Sequence, residues 1–322
     1  MTITNTMYYG TDGDVLYGDN LNSLQSFILS NMIKYGLDNT STNQVNYFED
    51  GFTSATYINT GATTALYNYF STGGTVYFCD ILDNFEDGSL DGDIWTNGGA
   101  GGVAETGGYV YLKARYGAGI ETAYIKSDGG VSPFDLFAIA ADTEVVFDVV
   151  ISLDSGNAGT FQPQVIGGGG TVNLGAAISS STTLTLYRYA FLYDHSGTTV
   201  DVFRNGVLIA DDVDISSCGG NAYLNFLVTS GASSAGYTNA YILGIGYLDG
   251  SAGSSLFQTA TRTTDVTAGI GIIANIYGLT PVTETAQASF DTGGNYTTIN
   301  DSVLYSSSNT GTGWICKTTV TH

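Results

Sequence analysis

The chain has 322 residues, of which 43% are apolar, so it can bury cores in two or three domains of ordinary size. Only 12% of the residues are charged, and 8 Lys and Arg against 30 Asp and Glu give a formal net charge of -22. The basic residues are scattered, which argues against a nucleic-acid-binding protein because phosphate neutralisation needs clustered cations. The sequence contains no apolar run of about 18 residues, so no segment is expected to span a membrane.

The composition predicts strands and turns for most of the chain. Its 44 glycines and 23 tyrosines, with many Thr, Ser and Asn, stand where helical proteins have Glu, Lys, Leu and Ala. Cys79, Cys218 and Cys316 are far apart and form no C-x-x-C pair. They are therefore expected to be small buried apolar side chains, not zinc ligands or a disulfide framework.

One helix is predicted, near the start of the chain. Apolar residues from Leu21 to Tyr35 recur at spacings of three, four and seven, with Asp19 at the N-cap position and Gly36 at the C-cap position. A helix of about four turns is marginal in water by itself. It must therefore pack either on its own chain or on the same helix in sibling subunits. The residues before it lack the basic start and apolar stretch of a signal peptide.

From residue 75 onward, apolar and polar residues alternate between clusters of Gly, Asn, Asp and Ser, which is typical of an antiparallel β-sandwich. The clearest strands are 145–153, with apolar residues on one face and Asp148 on the other, and 223–228. Asn205 and Gly206 predict a two-residue type I′ hairpin turn, because both residues tolerate positive φ angles.

The pattern divides the chain into three segments. Residues 1–78 are interpreted as an N-terminal attachment and oligomerisation segment, 79–250 as a jelly-roll domain, and 251–322 as a small C-terminal β-module. Two glycine runs, 98–102 and 167–170, lie too close to strands to be linkers and are expected at loop tips.

An acidic and aromatic stretch that leads to a tryptophan opens the middle segment. Its residues are Asn84, Phe85, Asp87, Gly88, Ser89, Leu90 and Trp95. Over about half of the chain, the sequence resembles the concanavalin A-like, laminin G-like jelly-roll family. The order of the segments is the same as in that family: this stretch comes first, then TVDVFRNGVLIADD, then NAYILGIGYLDG. The resemblance implies an antiparallel jelly-roll β-sandwich, a fold that hosts lectins, glycanases and structural modules.

Two flanking segments resemble parts of phage and other virion appendage proteins. GDVLYGDNLNSLQSFI is similar to the attachment segment of many phage fibres, and TAQASFDTGGNYTTIN is similar to a strand and turn of their C-terminal β-modules. The resemblance implies a tail fibre, spike or capsid-decorating appendage on the virion surface. Such a protein would self-associate as a homotrimer, attach to other virion proteins through its N-terminal segment, and adhere to the host surface.

The predicted strands carry no recognisable set of catalytic residues. Jelly-roll glycanases resemble one another in an E-x-D-x-x-E strand motif, which this sequence lacks. Glu144 and Asp148 share a strand face but lie about 13 Å apart, and Asp142, about 7 Å from Glu144, belongs to the preceding turn. His195 and its neighbour Asp194 are adjacent in a turn, and adjacent residues cannot converge as a triad does. The chain is therefore not expected to be an enzyme.

One group of acidic residues could bind a metal ion. Five carboxylates within eleven residues could supply oxygen ligands for calcium: Asp83, Glu86, Asp87, Asp91 and Asp93. Asp and Gly are also the residues that turns require for backbone reasons, so turn chemistry is the alternative interpretation. A second and weaker acidic set is Asp211, Asp212 and Asp214.

Tyrosines on or beside the predicted strands are a second candidate site. They are Tyr187, Tyr189, Tyr193, Tyr223, Tyr237 and Tyr241. A tyrosine ring offers apolar area with a polar tip, so these residues could pack in the core or a subunit interface, or stack on the sugar rings of host surface glycans. A lectin that binds such glycans is the alternative to a purely structural appendage.

Overall fold

The computed structural model describes most of the middle of the chain and parts of its C-terminal region. The described residues are 56, 58–70, 73–131, 133–153, 159–179, 183–232, 236–261, 283–289, 294–299 and 315–321. The helix predicted between Asp19 and Gly36 lies outside them. Within the described part, short 3-10 helical turns lie at Leu136–Ala138 and Ser216–Cys218. No helix there is long and apolar enough to cross a membrane.

The chain divides into two compact units. One comprises Met1–Glu49, Arg262–Ile276 and Ala286–Ile315, and the other comprises Asp50–Thr261, Tyr277–Thr285 and Cys316–His322. The second unit contains the residues from 79 to 250 that were predicted to form a jelly roll, together with residues on both sides of them.

The larger sheet of the second unit has eight strands among the described residues. In spatial order they are β14 (Val207–Asp214), β13 (Thr199–Arg204), β12 (Thr185–Asp194), β8 (Thr143–Leu153), β16 (Tyr237–Leu248), β6 (Tyr109–Arg115) and β5 (Gly102–Thr106), and β3 (Asp80–Asp83) also pairs with β16. All of these pairings are antiparallel.

The smaller sheet has six strands in the described part of the chain. In spatial order they are β10 (Gly170–Asn173), β9 (Thr160–Gly167), β15 (Tyr223–Thr229), β7 (Thr122–Lys126) and β4 (Thr96–Gly99), and β11 (Ile178–Ser179) also pairs with β9. These strands are antiparallel as well.

The core lies between the two sheets. Phe147 of β8 packs edge-on against Phe226 of β15, with ring centroids 4.8 Å apart, and Phe161 of β9 stacks on the same ring. The alternation predicted for 145–153 and 223–228 supplies side chains of the core, which come from Val145, Phe147, Val149 and Ile151 of β8 and from Leu224, Phe226 and Val228 of β15. The predicted antiparallel sandwich is therefore confirmed.

The stretch that carries the family resemblance closes one end of the core. Phe85 and Trp95 are buried with ring centroids 5.9 Å apart, and the Trp95 ring also contacts Phe226 at 6.3 Å. The Trp95 indole N–H donates a hydrogen bond of 2.7 Å to Asp83 Oδ2. An apolar ring with one polar group needs such a partner when it is buried.

The predicted Asn-Gly hairpin is present between β13 and β14. Asn205 and Gly206 have φ angles of 53° and 77°, and Arg204 faces Val207 across the turn. The glycine runs differ from each other. Gly168 and Gly169 lie at the turn between β9 and β10, as expected, whereas Gly98 and Gly99 form part of strand β4.

A hairpin of β1 (Leu66–Phe70) and β2 (Gly73–Tyr77) lies over the outer face of the larger sheet. Leu66 and Cys79 pack with Val146, whose side chain leaves β8 on the face opposite the core. Cys79 and Cys218 are buried, as expected, and Cys316 is half-buried. Strands β1 and β2 thus lie on the outer face of the larger sheet around Val146.

Four strands near the C-terminus form two antiparallel pairs. In the second unit, β17 (Ser254–Gln258) pairs with β20 (Ile315–Thr321) from Ser254 opposite Thr321. Strand β18 (Thr283–Ser289) pairs with β19 (Thr297–Ile299). The C-terminal region is therefore β-rich, in agreement with the prediction of a small β-module.

Candidate functional site

Four tyrosines occupy the outer face of two neighbouring strands, β6 and β16. We call them the tyrosine face: Tyr109, Tyr111, Tyr237 and Tyr241. Each is half-buried, whereas the alternate residues Val110 and Leu112 point into the core and are 0% exposed. The period of two residues along a strand thus places the tyrosines outward.

The rings of the tyrosine face contact one another. Tyr241 lies opposite Tyr111 across the strand pair, and their rings stack with centroids 4.9 Å apart and planes at 22°. Tyr109 meets Tyr241 edge-on at 5.4 Å, and Phe70 of the hairpin contacts both rings at 5.7 Å and 5.2 Å. This mutual packing limits rotation of the rings, so they form a fixed apolar surface.

Polar groups lie between the rings. The Tyr111 hydroxyl donates a hydrogen bond of 2.8 Å to the amide oxygen of Asn239, which is 6% exposed. Lys113 and Arg115 follow on the outer face of β6, and Tyr237 lies directly opposite Arg115. The surface therefore combines flat aromatic area with hydrogen-bond donors and acceptors, which is the combination that holds a polar ligand with apolar faces.

Beside the tyrosine face, the hairpin covers a carboxylate. Asp148 of β8 is 0% exposed, and it accepts hydrogen bonds from the Tyr77 hydroxyl at 2.6 Å and the Asn68 amide at 3.4 Å. Burial raises the pKa of Asp148, although the hydrogen bond from Tyr77 and the nearby Arg188 act in the opposite direction. A buried carboxylate needs such partners, and here they fasten the hairpin to the sheet.

The three carboxylates considered for catalysis have different surroundings. Asp148 is enclosed by the hairpin, as described above. Glu144, four residues earlier on the same strand, is half-buried, and burial raises its pKa. The Asp142 carboxylate accepts a hydrogen bond from the His195 amide at 3.0 Å, which joins two turns.

The six predicted tyrosines are distributed over three environments. Tyr237 and Tyr241 belong to the tyrosine face. Tyr223 is half-buried on β15, and its hydroxyl accepts a hydrogen bond of 2.7 Å from the Asn221 amide. Tyr187 is half-buried beside the core, with the Arg204 guanidinium 5.8 Å from its ring centroid.

Tyr189 and Tyr193 require a correction to the prediction of contact with a glycan or a partner subunit. Both side chains are 2% exposed and belong to the core of the sandwich. Tyr189 stacks on Phe147 with planes at 4° and centroids 5.0 Å apart. Packing in the core, the other use considered for them, is what the structure shows.

The acidic residues predicted to bind calcium lie in the loop 83–95, called here the acidic loop. Their oxygens cap turns: Asp83 Oδ1 accepts from the Phe85 amide, Asp87 Oδ1 from the Ser89 amide and Asp91 Oδ1 from the Asp93 amide, each at 2.8 to 2.9 Å. This is the turn chemistry named as the alternative. Calcium binding by the acidic loop stays a prediction.

Glu86 lies at the edge of the hairpin, where the Tyr69 hydroxyl donates to its Oε1 at 3.3 Å. A different acidic group meets the spacing of a metal site within the described residues. Asp201, Asp211 and Asp212 place one carboxylate oxygen each within 4.8 Å of the others. Mutual repulsion in this group raises the pKa of Asp211.

Sequence reasoning missed half of the tyrosine face. Tyr109 and Tyr111 lie in the segment YVYLKAR, where aromatic and basic residues alternate with Val, Leu and Ala. That period-two pattern was a usable signal for an outward aromatic row. The pairing of β6 with β16 could not be predicted from the sequence, because about 130 residues separate the two strands and no local sequence feature specifies which strands pair.

The described fold is thus an antiparallel β-sandwich with an aromatic outer face. No protein-family model matches the sequence, and no curated protein matches it. Among solved structures, the carbohydrate recognition domain of Emp47p is 10% identical and similar with a TM-score of 0.39, over 53% of this chain and 95% of that chain. A glycoside hydrolase family 16 endo-glucanase from Bacteroides ovatus is 14% identical with a TM-score of 0.36, over 52% of this chain and 98% of that chain.

Proposed function

We propose that the protein is a carbohydrate-binding module that holds a glycan chain on the tyrosine face without cleaving it. The observation that carries the proposal is the row of partly exposed, mutually packed rings on β6 and β16. Sugar rings have apolar faces and polar edges, and such rings stack on tyrosines while their hydroxyl groups bond to polar neighbours.

The dimensions favour an oligosaccharide over a single sugar. Tyr237 and Tyr241 are four residues apart on one strand, which corresponds to about 13 Å. The Asn239 amide lies between them and can offer its N–H group to a ligand hydroxyl while its oxygen accepts from Tyr111. An extended chain lying along β16 would contact both tyrosines and this amide.

The burial of Asp148 supports binding over hydrolysis. A glycanase needs two carboxylates that reach the scissile bond, about 5 to 10 Å apart. On the outer face of β8, Asp148 is enclosed by the hairpin and is already bonded to Tyr77 and Asn68. Release of reducing ends from a polysaccharide, lost in Glu144→Gln, would contradict the non-catalytic proposal.

The test is saccharide binding by the intact protein and by Tyr241→Ala. A panel of soluble oligosaccharides is titrated by isothermal calorimetry, and we expect the substitution to weaken binding of any ligand about tenfold, since burial of a large apolar side chain contributes on the order of 1.5 to 3 kcal/mol. Tyr237→Ala, which removes a ring with fewer neighbours, is a second variant in case Tyr241→Ala does not fold. Tyr223→Ala on the smaller sheet is the matched control and should bind normally.

The same variants separate glycan binding from a subunit interface. If the tyrosine face is instead buried between copies of the chain, Tyr241→Ala should change the solution mass of the protein. Saccharide binding would then be absent, or the substitution would leave it unchanged. Binding that is equally strong in Tyr241→Ala, Tyr237→Ala and Tyr223→Ala would place the ligand elsewhere.

Display of this module on a virus particle stays a prediction from the sequence resemblance. The segment similar to phage attachment regions lies outside the described residues. Adhesion to a host surface is compatible with the proposed binding activity, because both require an exposed glycan-binding face. The homotrimer and the other virion partners likewise stay predictions.

A further inference from the structure

Two cations lie at one end of the tyrosine face. Lys113 and Arg115 are alternate outward residues of β6, and the Lys113 Nζ is 3.6 Å from the centroid of the Tyr237 ring. The Arg115 guanidinium carbon is 5.6 Å from the same centroid. The negative face of the ring attracts both groups, so the two charges are held above one aromatic surface.

Neither cation is neutralised by a carboxylate in the described part of the chain. The ion pair there joins Lys126 to Asp128, and neither Lys113 nor Arg115 has a carboxylate oxygen within 4.0 Å. In a chain with 30 acidic residues and 8 basic ones, this is an unusual placement. Two unpaired cations on a half-exposed site can still form charge-assisted hydrogen bonds with a ligand.

The negative charge of the rest of the molecule restricts anionic ligands to the position of Lys113 and Arg115. A net charge of -22 repels anions from most of the surface, because it produces a negative potential around the protein. An anionic ligand is therefore favoured only where the cations are, and a carboxylate or sulfate matches the donors of Arg115 in geometry. A neutral sugar would leave both cations without a counter-charge.

We infer that the glycan bound by the tyrosine face is an acidic saccharide, whose carboxylate or sulfate group lies against Lys113 and Arg115 beside Tyr237. This inference rests on the proposed function and adds the chemical class of the ligand. The sugar rings stack on the tyrosines, and the acidic substituent fixes which end of the chain lies at Arg115.

The test compares acidic oligosaccharides with neutral versions of themselves. Oligogalacturonate, which carries carboxylates, and chondroitin sulfate oligosaccharides, which carry both groups, are titrated beside their carboxyl-reduced or desulfated counterparts. We expect at least one acidic form to bind about tenfold more tightly than its neutral counterpart, and the preference to shrink as salt is raised. The derivative that loses the preference identifies the acidic group that is recognised.

Charge-removing variants assign the preference to the two residues. Lys113→Gln and Arg115→Gln should weaken binding of the acidic form about three- to tenfold each and weaken binding of the neutral form less, because only the acidic form loses a charge-assisted contact. Lys126→Gln, on the smaller sheet, is the matched control. Retention of the cation in Arg115→Lys should restore part of the binding.

The outcomes of the two proposals can be told apart. Equal binding of acidic and neutral forms, lost in Tyr241→Ala, would overturn the acidic ligand and leave carbohydrate binding on the tyrosine face intact. An acidic preference that survives in both Lys113→Gln and Arg115→Gln would also overturn it. If no oligosaccharide binds in either form, the proposed function fails together with this inference.

Discussion

Glu105 of β5 faces the acidic loop, where its Oε1 accepts a hydrogen bond of 2.9 Å from the Gly88 amide. Partial burial and a hydrogen bond with Asp87 raise the pKa of the Glu105 carboxyl to about 7. The Ser89 amide and the same Glu105 contact lower the pKa of Asp87. The pair therefore takes up its first proton on Glu105 and not on Asp87.

This pair predicts a titration near neutral pH. Folded Glu105 binds more protons than the unfolded chain between pH 4.5 and about 7, so its contribution to stability is present below that window and is lost as the pH rises through it. Carboxyl NMR should give a midpoint near 7 that disappears in Glu105→Gln. A midpoint close to 4.5 would show that water screens the group. Calcium bound by the acidic loop would lower the midpoint, since a cation favours ionised carboxylates.

Individual side chains also mark the limit of sequence reasoning. Strand β12 carries Tyr189 and Tyr193 on its core face, whereas Ala190 and Leu192 on its outer face are half-buried. The outward neighbour Ala190 is covered near the hairpin, so apolar residues occur on both faces of the strand. The difference in polarity between the two faces of β12 was therefore too small to identify the buried face. For this reason the sequence did not distinguish the tyrosines of the core from exposed tyrosines.

The glycines show a second limit at the same scale. Gly99 has a φ of 99°, and a Cβ added there would lie 2.1 Å from the Thr122 carbonyl oxygen on the neighbouring strand. Some glycines are required because a strand distant in the sequence packs too close for a side chain. In the sequence, such a glycine looks the same as a glycine in a loop. The turn at 168–169 needed only local chemistry, and it was predictable.

Among the elements, the β1–β2 hairpin departs most from expectation. It was grouped with an attachment segment, yet Asn68 bonds to the Gly244 carbonyl at 3.0 Å and Leu66 is fully buried on the outer face of the sheet. An isolated pair of short strands is marginally stable at best. Their docking depends on contacts with β8 and β16, which the sequence of the hairpin does not specify.

The hairpin predicts a measurable effect of one hydroxyl group. Tyr77→Phe removes the donor that bonds to the buried Asp148, and we expect a loss of about 1 to 3 kcal/mol in the free energy of unfolding, because a buried acceptor is left without its partner. Urea denaturation measures this loss. Tyr69→Phe on the adjacent strand is the control and should cost less than about 0.5 kcal/mol, since its bond to Glu86 is exposed. Equal effects in the two variants would show that Tyr77 does not fasten the hairpin.

For the whole molecule, the two-layer architecture was the part most open to prediction. Segments 145–153 and 223–228 each place alternate apolar residues in the core, although Val146 and Val150 on the other face of β8 are buried as well. The Asn-Gly turn fixes its hairpin locally. Strand order was not predictable in the same way. The partners of β16 come from positions separated in the chain, and their pairing depends on the complete sheet.

The homotrimer predicted from the resemblance is a statement about the whole molecule. Light scattering of the purified chain should give a mass about three times 33.7 kDa. The measurement is repeated with a calcium chelator, and a fall in mass would assign a structural ion to the assembly. A mass of 33.7 kDa under both conditions would contradict the trimer. It would leave the carbohydrate-binding proposal standing, because the tyrosine face belongs to one chain.

Strand β16 follows the other strands of the sandwich in the chain but lies in the middle of the larger sheet, between β8 and β6. During synthesis, β6 and β8 each have one edge without a partner until β16, which ends at Leu248, has been added. The β1–β2 hairpin cannot complete its docking before then, because Asn68 bonds to Gly244, which lies 176 positions later in the chain. Contacts of such long sequence separation slow folding, and waiting strand edges expose the chain to aggregation. Nascent chains of this protein should therefore depend on chaperones until β16 has left the ribosome.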